Sequence, residues 1–240
     1  MACEVIILRR LVKLGIAFAI LILVVLVMWT VFRRYSLYRL PLSLPMPFEQ
    51  SVLIPDIPCS SDKDNDGVND LKDIVNGARA EVSRKPQYRS AYYQGGLPPD
   101  NEGVCTDVVW RAMRDAGYEL KASVDKDIRE NLSKYPRVAG SPDPNIDFRR
   151  VPNLIVYFRK HGTELTKEIK PSDLENLYQW QAGDIVTYDY PHEHIAIISD
   201  KRRKDGVPYI LHNAGPIASE TDQLISWPSK ITGHFRFPKF

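Results

Sequence analysis

A cysteine that opens a helix and a histidine that opens a strand are the residues of this sequence best suited to chemistry. Cys105 lies in GVCTDVVWRAMRDAG, where a glycine-rich loop gives way to an amphipathic segment. A thiol attacks as its thiolate, and a helix N-terminus or a neighbouring imidazolium favours that anion. His194 opens HIAIISD. Strand alternation lets it face a neighbouring helix end while Ile195 and Ile197 point the other way. Pairing of HIAIIS with YILHN about the Asp205-Gly206 turn puts His212 or Asn213 beside His194. Either can orient the imidazole, as a cysteine–histidine hydrolase requires. The plain competing reading of Cys105 is a small buried residue packing its helix.

Other assignments compete for the same residues. His192 is an alternative base, and His192-Glu193-His194 places two imidazoles on one strand face, a spacing that can hold zinc with Asp189 or His212. His161 and His234 read as surface or structural. Arg149 and Arg150 can grip a substrate carboxylate bidentately, or form structural ion pairs with Asp143 or Asp147.

These side chains need a scaffold. Apolar periodicity predicts helices over 73–84, 106–117, 127–135 and 151–161, with Gly77 weakening the first and Gly117 stopping the second. The short β-rich runs DIVTYD, HIAIIS, YILHN and GHFRF follow. Helices first and strands last predict an α+β fold with a small antiparallel sheet.

The bulk numbers exclude some classes. With 44% hydrophobic and 26% charged residues the chain is not disordered, and a net charge of +2 without a basic aromatic stripe argues against nucleic acid. Residues 14–32 carry no charge. As a helix they span roughly 28 Å, enough for a bilayer, so they read as an uncleaved transmembrane signal anchor. The segment 1–13 is then cytoplasmic and the bulk extracytoplasmic, in a cell envelope. Prolines 41, 45, 47, 55 and 58 mark 33–59 as a linker, with the folded domain at 60–240. Three cysteines are too few for a disulfide framework, although secretion permits a Cys59–Cys105 bridge. Nothing identifies a protein partner or an oligomeric state.

Residues 62–73 read D-x-D-x-D-G-V-x-D-x-x-D. Asp62, Asp64, Asp66, the Val68 carbonyl, Asp70 and Asp73 fall at EF-hand ligand positions, with Gly67 at the sixth. The expected ion is a structural calcium at the domain entrance; catalysis needs no cofactor. The alternative is an acidic, solvated helix cap.

Tyr92 with Gly95-Gly96, then GVCTDVVWRAMRDAG, GDIVTY and HIAIISD, resemble the NlpC-type papain-like cell-wall cysteine peptidases. More closely, GVCTDVV, PNIDFRRVPNL, GDIV, HIAIISDKR, HNAGP and ITGHFR resemble the bacterial domain-of-unknown-function family numbered 1287, over about residues 62 to 238. The resemblance implies a papain-like fold, Cys105 as nucleophile, His194 as base and His212 as orienting residue. It also implies a cell-wall peptide amide as substrate; Tyr92 and Asp107 join Arg149 and Arg150 as candidate substrate-binding residues. Where the NlpC pattern has Asp-Cys-Ser-Gly, this chain has Val104-Cys105-Thr106-Asp107, which leaves the role of Asp107 open. Rival readings are an acyltransferase on the same scaffold, a non-catalytic calcium-stabilised wall-binding module and, more distantly, a zinc hydrolase.

Overall fold

The computed structural model describes residues 20–30 and 51–239. The chain divides into two compact units, residues 1–47 and 48–240. In the first, residues 20–30 are helical (α1) and turn apolar side chains outward all round, from Ile20 to Trp29. The rest of the expected span 14–32 lies outside the described residues, and among those no helix is long and apolar enough to cross a membrane.

The second unit combines helices with an antiparallel sheet. Helix α2 (Asp70–Arg84) starts three residues before its expected position because Asn69 caps it, accepting from the Lys72 N–H at 3.1 Å. Gly77, expected only to weaken this helix, sits where α2 crosses the next helix. A Cβ there would lie 2.9 Å from Asp115 Cβ and 3.0 Å from Ala112 Cα. That next helix, α3 (Cys105–Asp115), buries Val108, Val109, Ala112 and Met113. Helix α4 (Leu120–Glu130) precedes the expected 127–135, because Leu120, Val124 and Ile128 form the buried stripe at four-residue spacing. Helix α5 (Val151–His161) has the expected bounds, and α6 (Leu174–Tyr178) is a short turn capped by Asp173.

A two-residue parallel pair, β1 (Gln87–Tyr88) with β2 (Glu102–Gly103), leads into α3. The main sheet has six strands: β3 (Thr163–Glu164), β4 (Ile185–Tyr188), β5 (His194–Arg202), β6 (Pro208–His212), β7 (Ser219–Thr221) and β8 (Ile231–Arg236). Their order is β3-β8-β4-β5-β6-β7, antiparallel throughout.

Both sheet faces are buried. Ile185, Ile195, Ile197, Leu211 and Phe235 join the helices in one core, while Val186, Tyr188, Ala196, Ile198 and Ile210 pack with Leu177, Trp180 and Leu224 in another. The stretch expected as linker is docked from residue 51 on. Val52 N–H donates to Lys204 O at 2.8 Å, Pro55 O accepts from Gln181 Nε2 at 3.2 Å, and Val52 and Ile54 pack on the second core. Proline forbids helix there, but an extended strap satisfies proline equally well.

Candidate active site

Cys105 is the first residue of α3 and is 9% exposed. The loop before it is held at three points. Asp107, one turn into the helix, accepts the Val104 N–H at 2.8 Å, half of a capping box. Asn213 Nδ2 donates to Gly103 O and to Pro86 O, each at 3.2 Å, bridging the end of β6 to the β1–β2 pair. Arg149 binds Asp107 bidentately, Nε to Oδ1 at 2.8 Å and Nη2 to Oδ2 at 2.7 Å, and its Nη1 reaches Ala91 O at 2.8 Å.

The thiol faces backbone donors. The backbone N–H groups of Ile195, and of Thr106 and Cys105 at the helix start, lie where they favour the anion at Sγ. The Ile195 amide is available because the β5–β6 ladder has Ile197–Leu211 as its last pair on this side. Sγ therefore sits where β5 and β6 part, one residue from His194. Both cysteines of the described residues, Cys59 and Cys105, are free, so the Cys59–Cys105 bridge is not formed.

His194 does not face the helices as expected. Ile195 and Ile197 do, in the same core as Cys105, and the His194 ring lies on the other face. There it stacks on Trp227 at 4.2 Å and 16°, beside Tyr188, its register partner on β4. Aliphatic side chains point both ways from this strand, so alternation alone does not say which face the helices cover. Among the described residues no hydrogen bond joins Sγ to the imidazole.

The imidazole is tied elsewhere. His194 Nε2 meets His212 Nδ1 at 2.8 Å, His212 Nε2 meets Thr221 Oγ1 at 2.8 Å, and Thr221 Oγ1 donates to Gln223 Oε1 at 3.1 Å. The threonine has one proton, so its oxygen accepts from His212 Nε2–H. His212 Nδ1 is then an acceptor, and His194 donates to it from Nε2. This assignment leaves the lone pair of His194 on Nδ1. Asn213 is bonded to Pro86 O and Gly103 O, and the residue hydrogen-bonded to the His194 ring is His212.

Burial sets the charge states. It pushes the Cys105 thiol up to about 11, outweighing the Ile195 amide, while the Asp107 charge adds to the rise. The helix-start amides do not bring about the lowered thiol pKa expected of a resting thiolate. Burial lowers His212 to about 4, and burial with the nearby His212 holds His194 well below the usual imidazole range. At neutral pH Cys105 is thus a thiol and both imidazoles are neutral. Since the thiolate is the reactive form, alkylation of Cys105 by iodoacetamide is expected to rise about tenfold per pH unit from 7 to 9. A rate already flat at pH 7 would mean a preformed thiolate.

The other expected site residues are dispersed. Arg149 spends three of its five N–H groups on Asp107 and Ala91 O and its side chain is buried, so it does not stand open to a substrate carboxylate, and its partner is neither Asp143 nor Asp147. Arg150 lies 3.5 Å from Asp147. Tyr92 is exposed and hydrogen-bonds Asp143, accepting in turn from Asn145 Nδ2 at 2.7 Å. His192 is exposed and engages Ser229 and Trp227 through its backbone. No metal-ligand cluster of three involves His192 or His194 among the described residues. His161 pairs with Asp127; His234 is buried between Asp184 and Thr166 O and stacks on Trp180 at 3.8 Å. Asp62, Asp64 and Asp66 cluster on the loop before α2. Asp70 is not with them; it accepts from Ser61 Oγ, Lys63 N–H and Tyr118 OH. Trp227, Thr221 and Gln223 belong to the histidine network but show no local signal in the sequence.

The chain is 39% identical over 172 residues to "Uncharacterized protein YijF" of Escherichia coli (strain K12), covering 68% of this chain and 80% of that protein. No solved structure matches it. The model of the family described as "Domain of unknown function (DUF1287)" matches residues 75–237, a range that holds Cys105, His194, His212 and Thr221. The chain belongs to the DUF1287 family.

Proposed function

We propose that this protein is a membrane-anchored cysteine hydrolase, papain-like in plan, that cleaves a cell-wall peptide amide. The observation that carries this reading is the His194–His212–Thr221–Gln223 chain, buried at both imidazoles, which leaves a base lone pair on His194 one residue from the strand amide that favours the Cys105 anion. A neutral thiol and a neutral imidazole suit general-base activation on substrate binding. Catalytic contacts are often long before substrate arrives.

In the proposed reaction the thiol proton passes to His194 Nδ1 through one bridging water at the strand edge as sulfur bonds to the carbonyl carbon. The imidazolium then protonates the leaving amine, and water releases the acyl group from Cys105. The Cys105 N–H, at a helix start, serves the oxyanion. The wall-peptide substrate rests on the NlpC-like motifs. The membrane anchor rests on the uncharged segment 14–32, and the all-round apolar surface of α1 is consistent with it.

Burial of the thiol favours a second reading, a wall-binding module in which Cys105 only packs its helix. The two part in one experiment. Full-length protein and its Cys105→Ser variant are incubated with purified peptidoglycan, and products are read by mass spectrometry. New muropeptides from the parent alone are expected, and their masses identify the bond. Binding by both proteins without cleavage by either would overturn the hydrolase.

A further inference from the structure

The loop before α2 takes no part in the proposed chemistry. Asp62, Asp64 and Asp66 each place a carboxylate oxygen within 4.8 Å of the other two. Oxygens bound to one calcium at 2.3–2.6 Å lie no more than about 5 Å apart, so this trio already stands at ligand spacing. Loop amides orient the acids. The N–H groups of Asp66 and Gly67 donate to Asp62 at 3.2 and 3.0 Å, and that of Val68 donates to Asp66 at 2.8 Å. Gly67, at the sixth position, takes φ +92°.

Clustered surface acids are common without an ion, and the weight falls on Asp73. It lies in the first turn of α2, at the twelfth loop position, and is only 8% exposed. Its Oδ2 is buried and has no hydrogen-bond partner. A buried carboxylate is costly unless it is paired or coordinates a metal. Asp66, Asp64 and Asp62 are close enough to act on it electrostatically, which ties it to the same trio. The solvated-cap alternative fails on both counts, because Asn69 is the cap and Asp73 is not solvated.

We propose that residues 62–73 bind one calcium ion through Asp62, Asp64, Asp66, the Val68 carbonyl and Asp73, and that the ion braces the far end of α3. Asp70 is left out because its oxygens are taken by Ser61, Lys63 and Tyr118. A carboxylate-rich set with one carbonyl on an irregular loop suits calcium, whereas magnesium demands near-ideal octahedral geometry. The loop rests on the end of the helix that begins at Cys105. A Cβ on Gly117 would lie 3.0 Å from Asp64 Cβ, and Tyr118 OH binds Asp70. Binding stands independently of the proposed catalysis; only the nucleophile's dependence on the brace rests on that reading.

The test uses full-length protein stripped with EGTA and then freed of it. Calcium chloride is titrated by calorimetry, and melting is followed with calcium or magnesium. The parent is expected to bind one calcium per chain and to melt higher with calcium than with equal magnesium. Asp73→Asn removes the buried charge, so its metal-free form is expected to melt no lower than the metal-free parent. Its calcium affinity is expected to fall by about tenfold or more, since even outer-shell changes cost 10–100-fold. Asp66→Asn, at an exposed position, gives the same loss without disturbing packing at 73. No calcium heat and no melting shift in the parent would overturn the site. A calcium response undiminished in both variants would overturn it as well.

Discussion

His194→Ala is expected to lower turnover of the proposed amide hydrolysis by roughly 10²–10⁴-fold, the usual effect of losing a general base. That is about 3–5 kcal/mol of barrier. The size follows from the charge states, because a thiol near pKa 11 supplies almost no thiolate at neutral pH. The attacking sulfur must therefore lose its proton during the reaction, and the His194 Nδ1 lone pair is the acceptor the hydrogen-bond chain leaves for it. Truncating a link further along the chain is a milder change. Thr221→Val leaves His212 free to reverse its tautomer, which moves the His194 proton onto Nδ1. Removal of a positioning partner should appear in kcat more than in KM. His192→Ala should leave both unchanged, because its contacts run through the backbone. Steady-state rates on the muropeptide substrate read all three variants. Full activity in His194→Ala would remove the base from the mechanism.

Legibility in the sequence follows how local each signal is. Helix α5 and strands β4, β5, β6 and β8 are recoverable because their periodicity or β-branched runs are contained within single segments. The strands β3 and β7, two and three residues long, exist only because β8 and β6 present unpaired edges. No pattern that short is distinguishable from a loop. The site divides the same way. The Cys105 and His194 positions stand out because loop-to-helix and turn-to-strand boundaries are local features. The partner of Arg149 lies 42 residues away at Asp107, so the sequence offers only the nearby acids and points to Asp143 and Asp147 instead. Trp227 covers the His194 ring from a loop 33 residues downstream, a contact that tertiary packing alone determines. The orientation of His194 fails for another reason. A sheet buried on both faces carries large aliphatics at odd and even positions alike, so polarity no longer marks the inside.

Asp107→Ala is expected to destabilise the domain by about 3–5 kcal/mol, because it leaves the Arg149 guanidinium buried without a counter-charge. For a domain of this size that is a fall in melting temperature of roughly 6–20 °C. The pair is almost fully buried on both sides, with side-chain exposures of 2% and 0%. Exposed ion pairs on this protein, such as Arg159–Glu164, should be worth under about 1 kcal/mol by the same measurement. Arg149→Met should cost less than Asp107→Ala, since an unpaired carboxylate can take up a proton and a guanidinium cannot lose one. The double variant Asp107→Leu with Arg149→Met should recover much of the loss, because two apolar side chains leave no buried charge behind. Stability alone therefore gives little reason to keep the ion pair. What the apolar replacement does not restore is the Val104 N–H acceptor and the Ala91 contact, which fix the chain leading into Cys105. Recovered melting temperature with unrecovered Cys105 reactivity would assign the pair to placing the nucleophile. Recovery of both would make it ordinary packing.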